Sequence, residues 1–367
     1  MIKTIFNSTV VMFLFLSSTF AQLNTHQESI LNKLMVEKNI PGLSLTIIRN
    51  GNIQYSKSFG TTGKENVNNK TLFQAASLSK LPTAILFVLN DENNLIEIDD
   101  EINQYLKGNI IRGHKSNSEV IPSSLSLLSH TGGMNIGGFL GYKKSRRNIP
   151  SIENILDGKK TFFWEPKIKI KSPVNYEYNY SGGGYCYLQK IIKDVKVKYF
   201  EEVIKDEVLN PLEMTISSYE SEPSRKDNYA MGHKRIGKVI SGEYRLYPQK
   251  AAAGLWTTSQ EYAKILIAIL GGLNSKNDSF LSYQNAIKII KPTHTSNGRI
   301  NNYGLGVNLE FDNDHNVISI FHSGQNYGYT SFFYLNLKSN SGYVFFTNKH
   351  KADISEIKWL IAESLEL

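Results

Sequence analysis

Strand-like runs crowd both ends of this 367-residue chain and are nearly absent from its middle. Leu43 to Ile48 and Ile53 to Phe59 read as two strands joined through Arg49-Asn50-Gly51-Asn52, where Asn-Gly is a strong hairpin signal. The pattern returns near the C-terminus at Tyr303 to Glu310, Val317 to His322, Tyr329 to Leu337 and Gly342 to Thr347. In between, apolar residues recur at helical spacing over Ser77 to Asn90, Gly184 to Val195, Tyr199 to Leu209, Ser259 to Leu270 and Tyr283 to Ile290. Further helices are predicted at Gln27 to Lys38 and Asp353 to Leu365. Two remote groups of strands imply one antiparallel sheet drawn from both ends, with helices packed on it. The predicted class is therefore α+β. The sheet part covers about 22–85 and 255–367, and a mostly helical subdomain of about 86–254 is inserted into it, all within one domain, 22–367. An active site belongs in the crevice between the two parts.

Composition supports a folded globular chain, with 41% apolar, 20% charged and 11% aromatic residues. A net charge of +8 invites a nucleic-acid reading, but the lysines are scattered. Their densest cluster is only Lys143-Lys144 with Arg146-Arg147, so a solvated basic surface is the better account and no nucleic-acid partner is expected. The lone cysteine, Cys186, rules out an internal disulfide and an all-cysteine metal cage. It lies in the apolar-aromatic run Tyr185-Cys186-Tyr187-Leu188 and is predicted to be a buried thiol.

The N-terminus reads as an export signal over 1–21. Lys3 precedes the apolar stretch Val10 to Leu16, and Ser17-Ser18-Thr19-Phe20-Ala21 places small residues before a cut after Ala21. That stretch is far short of the about 20 apolar residues that a membrane span requires. No cysteine follows to carry a lipid, so no membrane anchor is expected after cleavage. The mature protein would begin at Gln22 and be periplasmic or secreted.

Several motifs fail on inspection. Gly304-Leu305-Gly306 lacks the third glycine of a dinucleotide loop. Asp312-Asn313-Asp314-His315-Asn316 begins like a calcium loop, but Val317 and Ser323 stand where glycine and glutamate are needed, so it reads as a hairpin turn. The histidines show no zinc spacing and there is no Gly-x-Ser-x-Gly elbow. No metal or cofactor is expected.

Ser-x-x-Lys occurs twice. Ser355-Glu356-Ile357-Lys358 falls inside the last helix and reads as an exposed helical turn. Ser77-Leu78-Ser79-Lys80 follows a short strand, Thr71 to Ala75, and opens an apolar helix in which Pro82 is tolerable near the start. A spacing of three puts Lys80 beside Ser77, where a lysine in a partly dry cleft can take the serine proton. The motif alone fits an ordinary serine-rich helix start equally well. Two downstream segments add to it: Tyr176-Glu177-Tyr178-Asn179-Tyr180-Ser181-Gly182-Gly183-Gly184-Tyr185 leading into a helix, and Phe321-His322-Ser323-Gly324-Gln325-Asn326 closing a strand. A tyrosine could shuttle protons, and a small Ser-Gly edge admits substrate backbone. The bland readings are a tight glycine turn and a satisfied core histidine.

These three elements, in this order, resemble the serine β-lactamase and penicillin-binding-protein superfamily, most closely its class C-like branch of serine hydrolases and esterases. The resemblance runs from Ile40 to Asn348. It includes Ile40-Pro41-Gly42, Leu127-Leu128-Ser129-His130-Thr131-Gly132-Gly133, Ala253-Gly254-Leu255-Trp256-Thr257-Thr258 and Tyr303-Gly304-Leu305-Gly306. It implies that Ser77 is the acylated nucleophile, Lys80 its partner base and Tyr180 the family tyrosine. The backbone N–H groups of Ser77 and Gln325 would form the oxyanion hole, with Ser323 and Gly324 beside the substrate. His322 takes the place of a lysine in the penicillin-recognising members.

Two positions depart from that pattern. Gly182 stands where the tyrosine motif usually ends in asparagine, and the strict matches Tyr283-Gln284-Asn285 and Tyr334-Leu335-Asn336 fall in a predicted helix and strand. A histidine at 322, mostly neutral at pH 7, grips a substrate carboxylate less well than lysine. The expectation is an exported serine hydrolase forming an acyl-enzyme on a small-molecule or peptide substrate, either an ester or a D-amino-acid-containing peptide or amide. A true β-lactamase or D-alanyl-D-alanine carboxypeptidase, and a non-catalytic module retaining the fold, are the alternatives.

Overall fold

A computed structural model describes residues 23–114, 120–162, 165–275 and 279–367. The export signal expected over 1–21 and its cut before Gln22 lie outside those residues.

Helix α1 (Thr25–Glu37) starts where Asn24 can cap it: Asn24 Oδ1 accepts the Gln27 N–H at 2.9 Å, and Gln27 Oε1 accepts the Asn24 N–H at 3.0 Å. Strands β1 (Gly42–Arg49) and β2 (Asn52–Gly60) follow, joined by Asn50 and Gly51. Both turn residues have positive φ, 50° and 71°, as a two-residue hairpin with a right-handed twist demands. The C-terminal group supplies β3 (Asn308–Phe311), β4 (Val317–Asn326), β5 (Tyr329–Asn336) and β6 (Ser341–Thr347).

All six strands form one antiparallel sheet in the order β2-β1-β6-β5-β4-β3. The two ends of the chain meet at β1 and β6, where Leu43 faces Thr347 and Ile48 faces Gly342. The α+β class with a sheet shared between the termini is thus the observed one.

Period-two alternation gives each sheet face its own core. Leu43, Leu45 and Ile47 of β1 and Phe345 of β6 point toward α1 and α7 (Ser355–Ser364), meeting Leu31, Leu34 and Leu360. Val344 and Phe346 face the opposite way and join a larger core that reaches into the middle of the chain, including Tyr185 and Leu266. On that side Ser44 and Thr46 are buried but satisfied, with Ser259 Oγ at 2.8 and 2.9 Å. Ser259 begins helix α5 (Ser259–Leu273); before it come α2 (Lys80–Glu92), α3 (Gly182–Lys196) and α4 (Lys250–Ala253), and after it α6 (Tyr283–Ile290).

Several expected elements differ in extent: the strand expected over Thr71 to Ala75 is only Phe73–Gln74, and the helix expected from Ser77 opens as a 3-10 turn, Ala76–Ser79. The strand expected over Tyr303 to Glu310 is confined to Asn308–Phe311, because Gly306 has φ +75° and turns the chain against the base of α2. The strand expected to stop at His322 runs on to Asn326, and its hairpin turn is Tyr327-Gly328. The helix expected over Tyr199 to Leu209 is α-helical only over Phe200–Ile204 and continues as a π turn, Lys205–Leu209.

A Cβ on Gly306 would lie 2.9 Å from the Lys80 carbonyl oxygen, in a backbone region that L-residues rarely adopt. Gly306→Ala should therefore lower stability by about 1–3 kcal/mol, read as a shift in the urea midpoint with an unchanged slope.

Candidate active site

The chain around Ser77 is a short 3-10 turn, Ala76–Ser79, entering α2. Ala76 carries φ +52°, an uncommon value for a residue with a Cβ. Such a turn persists only when its surroundings fix it. Here side chains from separate elements hold its carbonyls. Ser331 Oγ donates to Ala75 O at 2.7 Å, Tyr262 Oη to Leu78 O at 2.9 Å, and Tyr219 Oη to Ser79 O at 2.7 Å. Ser79 Oγ closes on Ala76 O at 2.6 Å and also accepts the Leu255 N–H at 3.0 Å.

Lys80, the first residue of α2, is 2% exposed. Its Nζ donates to Ser77 Oγ at 3.2 Å and to the Ala252 carbonyl at 2.8 Å, and lies over the rings of Tyr180 and Tyr185. The Ala252 carbonyl belongs to α4, a helix of one turn tied down from α3. Gln189 accepts the Ala251 N–H at 3.2 Å and donates to Pro248 O at 2.9 Å, while Lys250 pairs with Glu201. Tyr180 lies just ahead of α3, and its Oη hydrogen-bonds Ser77 Oγ at 2.9 Å. Ser77, Lys80 and Tyr180, 103 residues apart at the extremes, thus converge on one oxygen.

Strand β4 forms the other wall. Its partner β3 ends opposite Phe321, so His322 to Asn326 present a free edge. Gly324 lets that edge approach the serine turn: a Cβ there would lie 2.5 Å from Ala75 O and 2.2 Å from Ser331 Oγ. The two-residue turn at Tyr327-Gly328 sets the phase of the ladder, and Leu337 N–H bonding Ile318 O at 2.8 Å agrees with it. The amides of Ser323 and Gln325 therefore point toward the free edge rather than toward β5. Alternation sends the Ser323 and Gln325 side chains to the opposite face, where both are exposed. These two residues offer the cleft their backbone alone.

His322 is buried and both of its ring nitrogens are engaged. Nε2 lies 2.8 Å from Tyr303 Oη and Nδ1 lies 2.6 Å from Ser323 O. A carbonyl only accepts, so Nδ1 carries the proton and Nε2 accepts from Tyr303. Burial, with the positive charge of Lys80 second, pushes the imidazole down to about 3. In this structure both ring nitrogens of His322 are thus engaged within the protein.

A second histidine, His130, went unremarked in the sequence except as part of a landmark. Its Nδ1 accepts the Ser181 N–H at 3.1 Å, and its ring packs 4.2 Å from that of Tyr180 and 4.8 Å from that of Tyr303. Burial first, then Lys80 and His322, hold it well below the ordinary histidine range. Tyr303 and the Ala252 carbonyl were likewise missed, since a lone backbone carbonyl leaves no sequence signal.

Gly182, expected beside the substrate, is the first residue of α3; it is buried, and its N–H goes to Gly137 O at 3.1 Å. Phe139 occupies the space beside it, 3.0 Å from where a Cβ would be. Ser355 is exposed on α7, remote in the fold from the cluster at Ser77, as an ordinary helical turn. Tyr283-Gln284-Asn285 opens α6 and Tyr334-Leu335-Asn336 ends β5. Cys186 is buried in α3, and burial pushes its thiol far up.

A serine touched by a buried lysine and a tyrosine, facing an open strand edge, is the arrangement to which known proteins can be compared. The family model described as Beta-lactamase matches residues 27–366. The chain belongs to the Beta-lactamase family. Among curated relatives, "Penicillin-binding protein 4*" of Bacillus subtilis (strain 168) is 24% identical over 326 residues, covering 82% of this chain and 66% of that protein. "Protein flp" of Staphylococcus aureus (strain COL) is 24% identical, with 88% and 62% covered, and a "Beta-lactamase" of Psychrobacter immobilis is 24% identical, with 65% and 56% covered. The chain thus spans less than two thirds of the length of these relatives. Among solved structures, the octameric penicillin-binding protein homologue from Pyrococcus abyssi superposes with a TM-score of 0.73 at 23% identity, covering 93% of this chain and 76% of that one. At that identity the match establishes a shared Beta-lactamase-family fold. No helix among the described residues is long and apolar enough to cross a membrane.

The two buried histidines of the site, His322 and His130, make a pH prediction. An unfolded chain protonates histidine near 6.5, whereas native His322 resists protonation down to about 3. Between those values the unfolded state binds more protons, so stability falls as pH falls through that window and is regained above it. His130 acts in the same direction. Urea melts at about pH 7 and about pH 4.5 should show this loss, and His322→Gln should make it smaller.

Proposed function

We propose that this Beta-lactamase-family chain is an exported serine hydrolase that works through an acyl-serine intermediate on an ester, or on a peptide or amide bearing D-amino acids. The observation that carries the reading is the pair of contacts on Ser77 Oγ, Lys80 Nζ at 3.2 Å and Tyr180 Oη at 2.9 Å. A hydroxyl so placed can lose its proton as it attacks. Lys80 takes that proton while Oγ bonds to the substrate carbonyl carbon. The negative charge collecting on the carbonyl oxygen is met by the N–H groups of Ser77 and Gln325, preorganised donors of the kind that stabilise oxyanions. Collapse breaks the bond to the leaving group, which leaves with a proton passed through Tyr180. Water then repeats the sequence against the acyl-serine and frees the product acid.

The ester reading is favoured over a true β-lactamase or D-alanyl-D-alanine carboxypeptidase by two groups that the site lacks. Position 322 holds a neutral imidazole already engaged on both nitrogens, and position 182 has no side-chain amide. A charge-assisted contact to a substrate carboxylate and a bond to a substrate amide are thereby lost, the second worth about 1 kcal/mol net. An activated ester needs neither. The non-catalytic alternative has against it the complete set of contacts on Ser77. Export rests on the N-terminal pattern ending at Ala21.

Ser77→Ala should abolish turnover of p-nitrophenyl acetate with folding nearly unchanged, and Ser355→Ala should leave turnover intact; loss of activity in the second variant but not the first refutes the assignment. In the unmodified protein, short-chain nitrophenyl esters should exceed penicillins and cephalosporins in kcat/KM. N-terminal sequencing of protein exported from a bacterial host should begin at Gln22.

A further inference from the structure

The hydrogen bonds of His322 form a chain from Tyr303 through the imidazole to the strand edge. Tyr303 Oη donates to Nε2, and Nδ1 donates to the Ser323 carbonyl. Phase in the β4–β5 hairpin turns that carbonyl toward the open edge, the side on which an extended substrate would lie. The imidazole therefore fills two roles at once: it occupies the position from which a side chain could reach a substrate, and it takes one of the two lone pairs of a backbone acceptor that a substrate could use. What remains wholly unengaged on the free edge are the Ser323 N–H and the two backbone groups of Gln325.

Tyr303 is held rigidly enough to enforce this. It is 1% exposed, and its ring packs against His130 at 4.8 Å, Tyr178 at 5.7 Å and His322 at 5.8 Å. The chain just after it is fixed by glycines in close contact. A Cβ on Gly304 would lie 2.2 Å from Ile289 O, and Gly306 turns with φ +75°. The Tyr303 hydroxyl thus has one place to go, and His322 has one orientation.

We infer that Tyr303 is a specificity-determining positioning residue, which locks His322 between its own hydroxyl and the Ser323 carbonyl and so directs the site to acyl groups without a carboxylate. The inference builds on the serine-hydrolase reading, but the lock itself can be tested without turnover.

Two measurements decide it. In the unmodified protein, nitrogen-15 spectra of the histidines near neutral pH should show His322 as the Nδ1–H tautomer; an Nε2–H tautomer or an imidazolium overturns the lock even if no ester is hydrolysed. The second compares mono-p-nitrophenyl glutarate, whose acyl chain ends in a carboxylate, with p-nitrophenyl butyrate, which is uncharged. Tyr303→Phe keeps the ring packing and removes the donor that holds Nε2 as an acceptor, so the neutral ring can switch to the Nε2–H tautomer and offer that N–H to the carboxylate. The glutarate-to-butyrate ratio of kcat/KM should rise about fivefold or more, carried by KM for the glutarate. Parallel losses with both esters, or an unchanged ratio, would mean that Tyr303 only packs. If neither ester is turned over by the unmodified protein, the hydrolase reading fails instead, and the tautomer still decides the lock.

Discussion

The structure is organised around one buried amine. Lys80 Nζ lies among aromatic rings with two oxygen acceptors, Ser77 Oγ and the Ala252 carbonyl, and no carboxylate among the described residues pairs with it. A buried polar nitrogen without partners would cost several kcal/mol, so those acceptors must be held in place. That requirement reaches outward. The Ala252 carbonyl depends on α4, which depends on Gln189 of α3 and on the Lys250–Glu201 pair. Ser77 depends on a turn whose carbonyls are held by Tyr219, Tyr262 and Ser331. Helices from the middle of the chain and strands from its end are thus joined at a single side chain.

A second constraint is the closeness of β4 to the serine turn. Gly324 allows backbone to meet backbone, and Asn326 extends the join by donating to Gln74 at 2.9 Å and to the Ala253 carbonyl at 3.1 Å. The sheet edge, the serine turn and α4 are joined into one wall, an arrangement that holds donors in fixed positions. The aromatic cluster of His130, Tyr178, Tyr180, Tyr185 and Tyr303 forms the opposite wall and excludes water from the lysine side. Exclusion of water is also what keeps both histidines uncharged.

A few side chains make the contacts at the centre of this site. A serine and lysine three apart, a tyrosine ahead of a helix and a glycine in a strand edge suffice to define it. At 322 and 182 the chain carries residues other than those that the resemblance to penicillin-recognising members implies. At both positions the structure gives a local reason for the residue present, a bridge from Tyr303 at one and the ring of Phe139 at the other.

The sequence by itself determined the sheet, because hydrophobic period and turn chemistry are local. Asn50-Gly51 marked its hairpin, and the remote strand groups had only each other to pair with. It also paired Ser77 with Lys80 by spacing, and the resemblance to a known superfamily added Tyr180. Tertiary structure decided what those signals leave open. The strand expected from Tyr303 became a turn because Gly306 must pass the Lys80 carbonyl. The Ala252 carbonyl became the lysine's acceptor although any residue supplies a carbonyl. His322 is bridged on both ring nitrogens, by Tyr303 from nineteen positions earlier and by its own neighbour's backbone. A side chain's type is written in the sequence, but whether its donors are free depends on which groups the fold brings within hydrogen-bond reach.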